Sequence, residues 1–273
     1  MRLLVNKILR TVDDLECHLR GTASDGYSFV YKDKVIKSAF QPIITHDGQV
    51  FGYEALMRVY DLDGSRFQTE PFFTANDLPI NDKINIDRLA RVIHLRNFAC
   101  FFDAGALFLN MSPDALIDNF NNKSGPKLLF PRVKSLGLDC NNIYFELLEH
   151  HCEAKDDLFT VIKQMRDKGV KLALDDYGSQ ASSESRAKSV LPDIIKMDKS
   201  LLQEYIAGDT KRLTDAMALA KSIGARVLLE GVEDQLAYIT AIELGADYLQ
   251  GYYFGRPKLL NEFRQPLSTA ISS

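Results

Sequence analysis

Lys171-Leu172-Ala173-Leu174-Asp175-Asp176-Tyr177-Gly178 is a short apolar run that ends in two adjacent acids. Its length and composition suit a buried strand. Successive side chains of a strand point to opposite faces, so an acid pair in mid-strand puts one carboxylate into each layer. At a strand's end, where the chain turns, both can reach one place. Two carboxylates about 4 Å apart repel by roughly 4 kcal/mol at an effective dielectric of 20. A divalent cation or a shared proton reverses that cost; a solvated turn avoids it.

Polar termini recur on other apolar runs. Residues 50–58 surround Glu54, and residues 106–112 contain Asn110. Residues 143–149 carry Glu146 and Glu149, and residues 193–198 carry Lys196 and Asp198. Residues 226–233 carry Glu230 and Glu233, and residues 246–251 carry Gln250. A polar end on run after run implies a chain built to bring those ends together.

The spacing between the runs indicates how. Ala39-Phe40-Gln41-Pro42-Ile43-Ile44 and residues 50–58 are strand-like and flank the turn chemistry of His46-Asp47-Gly48. So tight a turn joins antiparallel strands, because a parallel return needs a crossover of a dozen or more residues. Beyond it, strand and helix alternate. Helical periodicity covers residues 86–98, with Ile86, Leu89, Ala90, Ile93 and Phe98 apolar and Arg88, Arg91 and Arg96 polar. Helices are also predicted over 156–168, stopped by Gly169; over 199–223, interrupted near Gly208; and over 233–244, stopped by Gly245. About eight strands in a chain of 273 residues predict an α/β protein. The architecture expected is a closed TIM-like (β/α)8 barrel with its first strand antiparallel, rather than an open doubly wound sheet. Catalytic groups of such barrels lie at the C-terminal strand ends, where these polar residues fall. The barrel domain is expected over residues 36–273. Residues 1–35 read as an extension with a short helix over 5–19 and a turn at 21–26.

Hydrophobic residues make up 46% and charged residues 26%, an ordinary globular mix. The net charge of −4 recruits neither a nucleic-acid polymer nor an anionic membrane. Cys17, Cys100, Cys140 and Cys152 form no Cys-x-x-Cys pair, which points to free thiols in a reducing cytoplasm. No run reaches the ~18 apolar residues of a membrane helix, and the first ten residues are too charged for an export signal. No glycine-rich phosphate cradle occurs. Plain readings suffice elsewhere. The face of Arg88, Arg91, His94 and Arg96 reads as solvated, residues 119–126 as a loop, and Asp61-Leu62-Asp63-Gly64 as a turn. Tyr252-Tyr253-Phe254 reads as core or rim aromatics.

Glu54, Asn110, Glu146, Asp175, Asp176 and Glu230 are hard oxygen donors, which suit Mg²⁺ or Mn²⁺ better than zinc. Two such ions sharing a carboxylate suit in-line attack on a phosphodiester. Lys196 can hold a water or a phosphoryl oxygen, and Arg58 can fork onto a phosphate. The setting Gly52-Tyr53-Glu54-Ala55-Leu56-Met57-Arg58 resembles the signature of the EAL domain, the bacterial cyclic di-GMP phosphodiesterase. Ordered matches follow: Phe40-Gln41-Pro42-Ile43, Asn110-Met111-Ser112, Glu146-Leu147-Leu148-Glu149, Asp175-Asp176-Tyr177-Gly178, Lys196-Met197-Asp198, Glu230-Gly231-Val232-Glu233 and the segment from Gln250 to Pro257.

The resemblance implies hydrolysis of cyclic di-GMP to linear pGpG with two Mg²⁺ or Mn²⁺ ions per site. It assigns Glu54, Asn110, Glu146 and Asp175 to one ion, and Asp175, Asp176 and Glu230 to the second. Lys196 orients the attacking water, and Glu230 assists proton removal. Gln41 and Arg58 meet the dinucleotide, supported by Asp198, Glu233 and Gln250. Glu149 braces the loop after the acid pair, and a homodimer is implied. The chain departs from the family's usual Phe-Gly-Thr-Gly-Tyr-Ser-Ser in that loop, which here reads Tyr177-Gly178-Ser179-Gln180-Ala181-Ser182-Ser183. Leu148 stands where the family usually has Thr. Control by this loop is therefore expected to differ while ligation survives. The alternative is a cyclic di-GMP receptor or protein-interaction module that does not cleave. No regulatory partner is legible.

Overall fold

The computed structural model describes residues 7–68, 78–121, 125–148, 155–179 and 184–263. A short helix, α1 (Val12–Glu16), precedes the antiparallel hairpin β1 (Leu19–Thr22) and β2 (Gly26–Tyr31). β2 pairs antiparallel with β3 (Lys34–Thr45), so the hairpin extends the sheet of the main body. The helix expected over 5–19 is thus limited, among the described residues, to five. Further along, the alternation in Tyr27-Ser28-Phe29-Val30-Tyr31 forms β2. It buries Phe29 and Tyr31 in a cluster with Leu15, Ile36, Val59 and Ile86.

β3 turns at Gly48 into β4 (Val50–Asp61), and the two run antiparallel, as predicted. β4 continues through the Asp61–Gly64 turn into β5 (Arg66–Phe67). Six more strands follow: β6 (Ala106–Met111), β7 (Ile143–Leu148), β8 (Lys171–Tyr177), β9 (Ile194–Met197), β10 (Arg226–Leu229) and β11 (Tyr248–Leu249). They pair in parallel from β4 round to β11. β11 then meets β3 antiparallel, which closes an eight-stranded barrel with β3 as its one reversed strand. A short β12 (Lys258–Leu259) adds to the edge of β3.

The barrel interior is layered by the two-residue strand period. Ile43, Phe108, Tyr144, Ala173, Ile194, Leu228 and Tyr248 pack together as one buried cluster. Two residues toward the C-terminal mouth from each of them stand Gln41, Asn110, Glu146, Asp175, Lys196, Glu230 and Gln250. Gly52 likewise precedes Glu54. The polar residues are therefore one pleat above an apolar floor. Alternate residues such as Leu107, Phe145 and Leu172, or Ile195, Val227 and Leu229, face outward into two larger clusters beneath the helices.

Those helices are α2 (Ile80–Phe101), α3 (Pro113–Asn121), α4 (Gly125–Ser135), α5 (Lys155–Arg166), α6 (Glu184–Val190), α7 (Lys199–Ile206), α8 (Lys211–Ser222), α9 (Gln235–Glu243) and a terminal α10 (Leu260–Phe263). α5 and α9 stop just short of Gly169 and Gly245, and Gly208 lies in the break between α7 and α8, as predicted. The loop expected over 119–126 is instead helical at both described ends. The solvated basic face on α2 is also overturned: Arg88, Arg91 and His94 are buried. α2 lies against β2, β3 and α3, and its polar side chains are paired there. Arg88 Nη2 donates to Asp118 at 2.6 Å, Arg91 pairs with Asp87, and His94 Nδ1 lies 2.8 Å from Ser38 Oγ. Among the described residues no helix is long and apolar enough to cross a membrane.

Candidate active site

Lys196 is the centre of the site. Its Nζ lies 2.7 Å from Glu146 Oε1, 2.7 Å from Asp175 Oδ1, 3.0 Å from Glu230 Oε1 and 3.6 Å from Glu54 Oε2. β4, β7, β8 and β9, and the residue just past β10, thus each deliver one charged group to the same point. Gln250 Nε2 holds Glu54 Oε2 at 2.7 Å, and Asn110 Nδ2 reaches Glu54 Oε1 at 3.4 Å.

The acid pair reaches this point by a different route from the one expected. β8 runs through to Tyr177, so Asp175 and Asp176 lie within the strand rather than past its end. The β8–β9 register shifts between Leu174 and Tyr177, and Asp176 adopts φ 55°. A left-handed non-glycine residue is uncommon, and it lets two successive carboxylates serve one site. Ligand oxygens of Asp175, Asp176 and Glu230 all lie within 4.8 Å of one another.

Five acids against one ammonium leave excess negative charge. Burial first, then neighbouring carboxylates, push the proton affinities up. Glu230 rises to about 8 and Asp176 to about 6, and Glu146, fully buried, rises well above the carboxylate range. Lys196 is held well above its usual value because its four carboxylate neighbours outweigh its burial. Glu146 Oε2 and Gln250 Oε1 are buried acceptors without a donor. Orphaned oxygens, hard donors and surplus charge together fit divalent cations of the Mg²⁺ or Mn²⁺ kind.

Above the acids opens a cleft of about 270 Å³, lined by Gln41, Glu54, Asp176, Asp198, Glu230, Glu233 and Gln250. Gln41 is cross-strand from Glu54 and donates to the Gly255 carbonyl at 3.2 Å. Asp198 caps α7, its carboxylate accepting from Ser200 N at 2.9 Å. Arg58 stands on the same face of β4 as Glu54 but outside the cleft lining, and burial lowers its proton affinity. Glu149 and the loop positions Gln180 and Ala181 lie outside the described residues. Lys199, Gly251 and Tyr252 also line the cleft and were not singled out as site residues. A Cβ on Gly251 would lie 2.0 Å from the Val232 carbonyl oxygen, so only glycine allows this close backbone approach. Tyr252 is exposed on the rim, with the Arg256 guanidinium 4.2 Å over its ring. The rim is one of the two placements expected for Tyr252-Tyr253-Phe254.

The sequence profile of the EAL domain matches residues 29–257. The chain belongs to the EAL domain family. Its match begins inside β2, so the hairpin strand next to β3 falls partly within the family's extent. Among relatives, the "Uncharacterized EAL-domain containing protein YkuI" of Bacillus subtilis is 28% identical over 224 residues, covering 80% of this chain and 54% of that protein. The "Probable cyclic di-GMP phosphodiesterase PdeI" of Escherichia coli is 26% identical over 225 residues, covering 80% of this chain and 28% of that protein. The chain thus spans about half, or less, of the length of these relatives. The crystal structure of Bacillus subtilis YkuI, in complex with substrate c-di-GMP and calcium, superposes with a TM-score of 0.72 at 26% identity, covering 82% of this chain and 56% of that one. A manganese and c-di-GMP complex of Klebsiella pneumoniae BlrP1 shares the fold, with a TM-score of 0.68 at 23% identity over 82% of this chain and 56% of that one.

Proposed function

We propose that this EAL domain is a metal-dependent phosphodiesterase that opens cyclic di-GMP to linear pGpG. The observation that carries the reading is the gathering of Glu54, Glu146, Asp175 and Glu230 around Lys196, with Asp176 and Asn110 alongside. Glu54, Asn110, Glu146 and Asp175 would hold one divalent ion and Asp175, Asp176 and Glu230 a second, and bound ions would supply Lewis acidity toward a phosphoryl oxygen and water.

The protein's own groups do the rest. Lys196 offers a fixed ammonium to the attacking water and to charge growing on the phosphoryl oxygen. Glu230, at 20% exposure the most open of the four acids around Lys196, is placed to take the water's proton. The water oxygen bonds to phosphorus, the bond from phosphorus to the ribose 3′ oxygen breaks, and that oxygen takes a proton from solvent. Gln41 and Arg58 meet the dinucleotide, and Asp198, Glu233 and Gln250 support the cleft around it. Purified protein given cyclic di-GMP with Mg²⁺ or Mn²⁺ should release pGpG, resolved by liquid chromatography, and chelation should stop it. Binding without turnover in either metal overturns the enzyme reading.

A further inference from the structure

Asn110 is an oxygen donor that Lys196 does not hold. Glu54, Glu146, Asp175 and Glu230 are gathered by Lys196, and Glu54 also by Gln250. Asn110 is exposed, and its amide makes one long bond to Glu54 at 3.4 Å. Its backbone is paired with β7 opposite Glu146, and one pair further on, at Met111 and Leu147, the ladder ends and β6 turns into α3. Ser112 forms that corner. Its Oγ accepts from Ala115 N at 3.3 Å, and its carbonyl accepts from Leu116 N at 3.0 Å. Its own N–H donates to Asp87 Oδ1 on α2 at 3.2 Å. Asp87 is buried, and its second oxygen pairs with Arg91 one turn along. The adjacent Arg88 holds Asp118 of α3 at 2.6 Å. α2 thus grips the corner before α3 and a later turn of the same helix.

We propose that Asp87 is a positioning residue for this site: by accepting the Ser112 N–H it fixes the exit of β6, and with it the Asn110 ligand. The inference rests on the proposed metal site. Asp87 touches neither ion nor nucleotide, and Arg91 serves to balance its buried charge.

The test compares two double variants in which the buried ion pair is removed whole, because removing one partner alone would leave an uncompensated charge. Asp87→Asn with Arg91→Met keeps the acceptor for Ser112; Asp87→Ala with Arg91→Met deletes it. Mn²⁺ binding to the nucleotide-free protein is read by electron paramagnetic resonance, alongside thermal unfolding. The Asn form should bind Mn²⁺ within about threefold of wild type, and the Ala form about 10–100-fold more weakly, the usual effect of losing a group that orients a ligand. Equal affinities in the two forms overturn the proposal. Asp87→Glu keeps the charge and moves the acceptor by one methylene; it serves should the Ala form unfold, with weakened binding supporting the role and unchanged binding refuting it. A wild type that binds no Mn²⁺ overturns the metal site itself, and this inference with it.

Discussion

Acidification from pH 7 to pH 5 should destabilise this fold by about 2 kcal/mol through one side chain, His94. The imidazole is buried between α2 and β3, beside Ser38 Oγ at 2.8 Å and edge-on to the Phe40 ring. Burial first, then the Arg91 and Arg58 charges, lower its proton affinity from 6.5 to about 3. The unfolded chain binds a proton below about 6.5 and the folded chain does not. Stability is therefore full above 6.5 and is lost as pH falls toward 3. The gap corresponds to about 5 kcal/mol once both pKa values are passed, of which about 2 kcal/mol has gone by pH 5. For a domain of this size that is a fall of about 4–8 °C in melting temperature. The site acids respond in the opposite sense. Glu230 and Asp176 have raised proton affinities, so they favour the folded state as pH falls. Wild-type melting alone mixes the two effects. His94→Gln removes the titration and leaves a group able to bond Ser38. Melting temperatures of both proteins at pH 5 and 7, in chelator, isolate the term. The wild-type loss should exceed the variant's by about 2 kcal/mol. Equal responses would refute the argument that a buried neutral imidazole carries it.

Lys196→Met leaves Glu146, Asp175, Glu230 and Glu54 without their shared cation. Urea unfolding in chelator should show a loss of about 3–5 kcal/mol, partly restored by Mn²⁺; undiminished stability would mean the ammonium is not their counterion. Glu54→Ala removes a carboxylate that Gln250 and Asn110 both address. Cyclic di-GMP turnover should fall at least about 100-fold, and a retained full rate would contradict its role. Gly251→Ala drives a Cβ into the Val232 backbone. It should lower stability by about 1–3 kcal/mol, checked by thermal melting; an unchanged midpoint would show that the backbone yields there.

The residues of the sequence sufficed for the barrel, its reversed strand, the helix stops and the set of polar groups at its mouth. These are local signals: the two-residue strand period puts Phe108 with Asn110 and Tyr144 with Glu146 on one face, and turn chemistry sets the β3–β4 hairpin. Other features depend on partners far along the chain. Arg88 and His94 looked solvated because a polar residue on a helix says nothing of Asp118 or Ser38, which bury and satisfy them. The β1–β2 hairpin was hidden because its ladder is completed by β3 and its apolar face by α2. The register shift that brings Asp175 and Asp176 to one site beside Glu230 was equally hidden, since adjacent strand residues diverge unless the pairing of β8 with β9 shifts. Sequence periodicity selects which groups share a face, whereas burial, charge pairing and backbone strain arise only when distant segments are packed together.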